Sequence, residues 1–188
     1  MRSFALIAAA AAFVAGPASA YVLGGGIEKQ VGQGGFVKLD PKDGFAVGAD
    51  TFDDDNLYAF DENQNILLER DIRVDVAAPE IAEDGGVIRA GQVVASHYVF
   101  FDSIDGVHIG YVDFDAPILG VAAFQGTMGA TDFLADTDVT YLNPELRGLE
   151  RGDYVWIDPE DPHRLRVFWA GSSPGDFVRV FTARSPGV

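Results

Sequence analysis

After the first twenty residues, apolar and polar positions alternate in short runs that predict β-strands. Residues 71–76 alternate strictly between charged and apolar side chains, and residues 164–169 place Leu165, Val167 and Trp169 on one face. Period-two alternation is expected of strands with one face in a core and the other in water. Turn residues bound these runs, and no long stretch of helical periodicity follows residue 20.

The same pattern predicts a two-sheet, all-β fold. Further predicted strands are 36–39, 57–60, 65–69, 92–101, 107–114, 118–124, 153–157 and 177–183. About ten strands are too many for one small sheet, so we expect an antiparallel β-sandwich, jelly-roll-like in type. Strands 92–101 and 107–114 are expected to pair as a hairpin that turns near Asp105-Gly106. Residues 130–136 are expected to form one helical turn with Thr131 as N-cap.

The first twenty residues have the organisation of a secretory signal peptide. Arg2 precedes an apolar stretch from Phe4 to Val14, Gly16-Pro17 interrupts it, and Ala18-Ser19-Ala20 matches a peptidase cleavage site. The apolar stretch is shorter than the ~20 residues that span a bilayer. We therefore predict a mature chain that begins at Tyr21, has no stable membrane anchor and is secreted or periplasmic. An uncleaved anchor is the alternative.

The predicted mature chain has the size of one domain. Removal of residues 1–20 from the 188 leaves 168 residues, enough to bury a stable core. Residues 21–35 are glycine-rich and weakly patterned, and we expect them to form a flexible segment that leads into a single sandwich domain at 36–188.

Composition narrows the possible functions. The chain has no cysteine, which excludes thiol catalysis, thiolate zinc sites and disulfides, and which in an exported domain fits a Gram-negative bacterium. The formal net charge is −16, and loss of the leader with its one charged residue, Arg2, makes it −17. Nucleic acids and anionic lipids need basic patches, so neither is an expected partner. Neutral sugars and cations are compatible with this charge.

An acidic run between residues 50 and 62 is the best candidate for a metal site. Calcium takes six to eight oxygen ligands from flexible loops, and we predict Asp53, Asp55 and Asp61 as ligands of a calcium ion. An EF-hand is excluded, because counting from Asp53 places Tyr58 where glycine is obligatory. The alternative is a solvated loop in which Asp and Asn form turns. A second acidic loop at 132–138 has the same alternatives.

The sequence contains no convincing catalytic grouping. Asp113 and Asp115 would share a strand face, as the carboxylates of a glycosidase can, but an acidic chain offers such pairs by chance. The histidines at 97, 108 and 163 lack the spacing of zinc enzymes, and His97 is expected to be a hydrogen-bonded core or face residue. We therefore predict no catalytic residue, and no cofactor apart from the calcium candidate.

Two further groups are expected to be structural. Arg147 and Glu150 are predicted to form an ion pair or to hold backbone carbonyls. The tryptophans and the tyrosines at 58, 98, 111 and 141 could stack on sugar rings if exposed, but aromatic residues at strand spacing are more often in a core. Alternation places Trp169 inside.

Four stretches together carry a family resemblance. They are DNLYAFDENQN at 55–65, VASHYVFFD at 94–102, FDAPILGV at 114–121, and RGLE at 147–150 followed by SSPGD at 172–176. Their order resembles a family of secreted, mostly uncharacterised bacterial proteins, many of which carry a C-terminal PEP-CTERM sorting tail. The resemblance covers roughly residues 50 to 183. It implies an exported β-rich domain tied to the extracellular matrix or cell surface, and it supplies no catalytic residues.

The chain departs from that pattern at its end. Residues 184–188 contain no Pro-Glu-Pro, no hydrophobic helix and no basic cluster, so we do not expect sorting by that route. From the sequence we expect a non-catalytic module that binds a glycan or matrix polymer, with calcium as its candidate stabiliser. A structural or interaction protein of the envelope and a glycan hydrolase are the alternatives, because sandwiches host all three functions.

Overall fold

The computed structural model describes residues 21–103, 106–170 and 174–184. The predicted signal peptide at 1–20 therefore lies outside the described residues. The structure is mostly β, with 45% strand and 13% helix, and none of the sheets in the described ranges is closed, which confirms the all-β class. Its strands are β1 (Val22–Val31), β2 (Phe36–Lys38), β3 (Ala46–Val47), β4 (Leu57–Asp61), β5 (Ile66–Leu67), β6 (Ile72–Arg73), β7 (Val76–Ala77), β8 (Val87–Ile88), β9 (Val93–Phe101), β10 (Val107–Phe114), β11 (Ile118–Ala122), β12 (Thr140–Tyr141), β13 (Tyr154–Ile157), β14 (Arg164–Ala170) and β15 (Asp176–Ala183). Its helices are α1 (Pro79–Glu83), α2 (Gln125–Ala130) and 3-10 turns at Pro41–Asp43, Asp132–Leu134 and Pro144–Leu146.

Two large sheets packed face to face form a sandwich, as the sequence predicts. The outer sheet has the strand order β1-β10-β14-β13. The central sheet has the order β2-β4-β9-β15-β11-β7, and β5 also pairs with β9. Within these two sheets every described pairing is antiparallel except β2 with β4. Two short pairs, β3–β12 and β6–β8, stand apart.

The outer sheet follows the predicted alternation. Leu165, Val167 and Trp169 on β14 are fully buried, as predicted, and pack against the central sheet through Val99 and Val180. Removing these side chains from water is the main force that holds the two sheets together. The opposite face of the outer sheet therefore remains available to solvent.

The central sheet differs, because both of its faces are buried. From Val94 to Phe101 every residue of β9 is buried, and one face contributes Tyr98 and Phe100 to a second core with Phe60 and Phe177. The two helices and the short strands cover that second core. A continuous apolar run is typical of a strand buried on both sides.

The predicted hairpin between residues 92–101 and 107–114 is wrong. β9 pairs with β4 and β15 in the central sheet, whereas β10 pairs with β1 and β14 in the outer sheet. The chain crosses from one layer to the other between them. The physical reason is that β9 must be covered on both faces, whereas β10 is buried only at alternate positions.

The segment at 21–35, expected to be flexible, contains β1. This strand pairs antiparallel with β10 from Val22 to Val31 and forms one edge of the outer sheet. Its glycines interrupt the alternation of apolar and polar residues, because these positions need room for neighbouring side chains. A Cβ atom on Gly25 would overlap the ring of Phe36.

Two smaller predictions are corrected as well. Residues 71–76 form two short strands, β6 and β7, because the carboxylate of Asp75 accepts the backbone N–H groups of Ala123 (2.7 Å) and Phe124 (3.0 Å) where the strand would continue. The helical turn expected at 130–136 is a 3-10 turn at Asp132–Leu134 that follows α2. Thr131 makes no N-cap hydrogen bond and donates instead to the carbonyl of Met128 (2.9 Å).

Candidate functional site

One face of the outer sheet points away from both cores. Because side chains alternate along a strand, burial of Val155, Leu165 and Val167 directs their neighbours to the opposite side. We call that side the outer face. Its residues on the described strands and at their margins are Glu28, Lys29, Ile109, Tyr111, Asp113, Tyr154, Trp156, Asp158, Arg164, Arg166 and Phe168.

Aromatic rings occupy the β13 edge of the outer face. Tyr154 is 62% exposed and Trp156 is 38% exposed. Tyr154 lies opposite Phe168 in the register, with ring centroids 6.2 Å apart, and Trp156 lies opposite Arg166. Alternate residues on a strand are about 7 Å apart. The exposed rings of Tyr154 and Trp156 and the half-buried ring of Phe168 therefore lie on neighbouring positions of the outer face, and we call them the aromatic patch.

Carboxylates fix the two arginines beside this patch. Arg166 donates from Nε to Asp158 (2.8 Å) and from Nη1 to Glu28 (2.6 Å). Arg164 donates to both oxygens of Asp113, at 2.6 and 2.9 Å. The hydrogen bond to Asp113 is the main reason that the pKa of Arg164 lies above its ordinary value. A guanidinium carries five N–H donors, of which these contacts use two in each arginine.

The aromatic ring of Tyr111 lies on the outer face beside the arginines. A Cβ atom on Gly26, its neighbour on β1, would lie only 3.0–3.1 Å from Tyr111 ring atoms, so the absence of a side chain lets the ring lie against the strand. The guanidinium carbon of Arg164 is 4.2 Å from the centroid of the same ring, a cation–π distance. The outer face thus combines rings with fixed polar groups.

No protein-family model, curated protein or solved structure matches the chain. The resemblance to the secreted PEP-CTERM proteins stays a prediction. In the part of the chain that the structure describes, no helix is both long enough and apolar enough to cross a bilayer.

The structure does not bring the three predicted calcium ligands together. Asp53 and Asp55 lie on the loop before β4, where Asp55 accepts hydrogen bonds from the Gln33 N–H (2.8 Å) and the Ser103 hydroxyl (2.9 Å). Asp61 ends β4, and a strand of this length spans about 13 Å. One ion cannot contact Asp61 and the other two. Among the described residues, no three Asp, Glu or His side chains are grouped to hold a metal.

Asp61 belongs instead to a polar cluster at the edge of the sandwich core. Its carboxylate lies 2.8 Å from His97 Nδ1 and 2.7 Å from Lys38 Nζ, and His97 Nε2 lies 3.1 Å from the Thr182 hydroxyl. Burial raises the pKa of Asp61, but His97 and Lys38 outweigh it and the net shift is downward. His97 is fully buried, which confirms its prediction as a hydrogen-bonded core residue.

Arg147 and one residue of the second acidic loop, Asp132, belong to an ionic network that runs from the surface at Asp132 into the core. Arg147 donates two hydrogen bonds to Asp132, at 2.8 and 2.7 Å. Its structural role is as predicted, but the predicted ion pair with Glu150 is wrong, because the fold places the carboxylate of Asp132 against the guanidinium. Asp132 also lies 3.1 Å from Nη1 of Arg179. Arg179 in turn donates to Glu62 at 2.6 and 2.9 Å, and neither side chain of that pair is exposed.

Two buried carboxyl groups meet where β15 begins. Asp176 is 1% exposed and Asp153 is 9% exposed, and their side chains interact. Burial, followed by the charge of Asp153, raises the pKa of Asp176 to about 8. Asp153 also accepts the Ala170 N–H at 2.7 Å. A glycosidase needs carboxyls that reach its substrate, and these two are enclosed by protein.

The outer face is not among the features predicted from the sequence, although part of its signal lies in the alternation of β14. The alternation that places Trp169 inside also places Phe168 outside, on the side of Arg164 and Arg166. Val155 is buried, which places Trp156 with them. Strand pairing, which the sequence does not reveal, joins the two strands into one surface.

Proposed function

We propose that the outer face binds a neutral glycan, such as a matrix polysaccharide, outside the cytoplasm. The observation that supports this most is the exposure of Tyr154 and Trp156 beside an arginine that carboxylates hold in place. A sugar ring offers an apolar C–H face that stacks on an aromatic ring and hydroxyl groups that need oriented hydrogen-bonding partners. Binding sites commonly combine aromatic surface with a few fixed polar groups.

Charge favours a neutral polymer over an acidic one. On the outer face, Arg164 and Arg166 are matched by Asp113, Asp158 and Glu28. The chain as a whole carries −16. Among the described residues of that face, Lys29 is the one cation without a carboxylate partner. The negative net charge would repel a polyanion, whereas a neutral glycan avoids the repulsion.

A protein interface is the second candidate for the same surface. β13 forms an edge of the outer sheet, and an edge strand with exposed aromatic side chains can pair with a strand of a partner. In that case the chain is an interaction protein of the envelope.

We expect Trp156→Ala to weaken glycan binding about tenfold or more, because an aromatic anchor residue commonly contributes about 2 kcal/mol or more and about 1.4 kcal/mol corresponds to a factor of ten. Binding is measured on a glycan array and by affinity electrophoresis with soluble glucan, mannan, galactan and xylan. Tyr154→Ala should act in the same direction. Phe124→Ala is the matched control, because Phe124 is 56% exposed but lies before α2 rather than on the outer face.

Two outcomes contradict glycan binding. One is a wild-type chain that binds no glycan of the array or the panel. The other is a loss with Phe124→Ala that equals the loss with Trp156→Ala. A concentration-dependent dimer that Trp156→Ala dissociates, together with absent glycan binding, would establish the interface in its place.

A further inference from the structure

Tyr21, the predicted first residue of the mature chain, is held to the domain through its backbone. Its nitrogen donates to Oδ1 of Asp115 at 2.8 Å, and the backbone N–H of Asp115 donates back to the Tyr21 carbonyl at 3.1 Å. The ammonium group of Lys38 lies 5.3 Å from the centroid of the Tyr21 ring. These contacts continue the β1–β10 ladder, in which Val22 lies opposite Phe114.

The next residue is held by a second carboxylate. The Val22 N–H donates to Asp61 Oδ1 at 2.7 Å, and the Val22 carbonyl accepts from Lys38 Nζ at 2.8 Å. The Val22 side chain is buried between the sheets. Asp61 in turn contacts buried His97. The start of the predicted mature chain is therefore connected to the core, with two carboxylates facing its first two nitrogens.

We propose that removal of the leader creates an α-ammonium group on Tyr21 that forms an ion pair with Asp115, so that processing completes the fold. A signal peptidase hydrolyses the Ala20–Tyr21 amide with one water molecule. The C–N bond breaks, Ala20 gains a carboxylate, and the Tyr21 nitrogen leaves as an amine that takes up a proton at neutral pH. The amide in the precursor offers Asp115 one uncharged N–H, whereas the ammonium offers three donors and a positive charge. Charge-assisted hydrogen bonds are roughly twice as strong as neutral ones.

The first test identifies the processed end. The full precursor is exported in a Gram-negative host, and the mature protein is sequenced from its N-terminus by mass spectrometry. A chain beginning at Tyr21 is expected. A chain that begins elsewhere, or that keeps the leader, overturns the proposal. This test is independent of glycan binding.

The second test measures the ion pair. We compare a chain that begins at Tyr21 with a chain extended by Ala-Ser-Ala, each with Asp115 and with Asp115→Asn. Glu83→Gln is the control, because it removes an equal charge from an exposed position on α1 that does not line the cavity at Tyr21. The extension is expected to lower Tm by about 2 °C with Asp115 or with Glu83→Gln, and to have no effect with Asp115→Asn. Salt at 1 M should remove the difference.

A third measurement observes the ammonium group itself. The pH dependence of the Tyr21 Cα chemical shift should give a pKa for the α-amino group above the usual range of about 7.7–8.0, and Asp115→Asn should return it to that range. Asp115, Asp61 and Lys38 contact this end directly. The cavity beside Tyr21 is also lined by the charged residues Asp40, Lys42, Glu62, Asp136 and Asp138, which both variants and the wild type share. An ordinary α-amino pKa, or equal Tm for the extended and the processed chains, contradicts the ion pair.

Discussion

Arg179→Met is expected to lower the free energy of unfolding by about 3–5 kcal/mol, because it leaves the buried carboxylate of Glu62 without its ion partner. Glu62 would retain the hydrogen bond from the Tyr141 hydroxyl (2.6 Å), which does not neutralise a charge. The substitution also removes a donor to Asp132 (3.1 Å). Urea denaturation at pH 7 measures the change.

Two further variants separate the buried charge from other effects. Arg164→Met breaks a partly exposed ion pair with Asp113 and is expected to cost less than about 1 kcal/mol. The double variant Arg179→Met with Glu62→Leu should recover part of the loss, because no unpaired charge then remains in the core. Equal costs for Arg179→Met and Arg164→Met would contradict this account of the network.

Asp176→Asn is expected to stabilise the protein at pH 8 by about 3–5 kcal/mol, with a gain that shrinks toward pH 4. In the folded chain burial raises the pKa of Asp176 to about 8, whereas the unfolded chain ionises near the ordinary 3.8. The favourable contribution of the neutral carboxyl is therefore complete below pH 4 and is lost as the pH rises to about 8. The side chain of asparagine is uncharged at every pH in this range, so this contribution is not lost in the variant.

Urea denaturation of both chains between pH 4 and pH 9 checks this prediction. Asp138→Asn, which removes an exposed carboxylate, is the control and should give a pH profile parallel to that of the wild type. If the profile of Asp176→Asn were also parallel to the wild type, the two carboxyls would not share a buried contact.

Period-two alternation was sufficient to predict the sandwich and the inner face of the outer sheet. The charged and apolar residues of β14 alternate, so Trp169 could be placed inside from sequence alone. The same pattern could not predict that β9 is covered on both faces. A short apolar run is compatible with a strand buried on one face and with a strand buried on both faces. The segments that cover the second face of β9, such as α2, are distant from it in sequence.

Charge pairing depends on the tertiary fold and was beyond reach of the sequence. Glu62 and Arg179 are 117 residues apart, and nothing local to either predicts the pair. Asp61 was grouped with Asp53 and Asp55 because they are close in sequence, yet β4 carries Asp61 away toward His97. The glycines of β1 also concealed a strand from the sequence. They allow close packing against Phe36 and Tyr111, but glycine carries no side chain that could show the apolar and polar alternation.

The central claim is that the outer face binds a neutral glycan, and NMR titration of the mature chain tests it most directly. The chain has two tryptophans and so two indole N–H resonances, of which Trp156 lies on the outer face and Trp169 in the core. With oligosaccharides from glucan, mannan, galactan and xylan, at least one series should shift the Trp156 indole and the β13–β14 amides and leave the Trp169 indole in place. An unchanged chemical shift of the Trp156 indole in every series, or shifts confined to another surface, would contradict the claim.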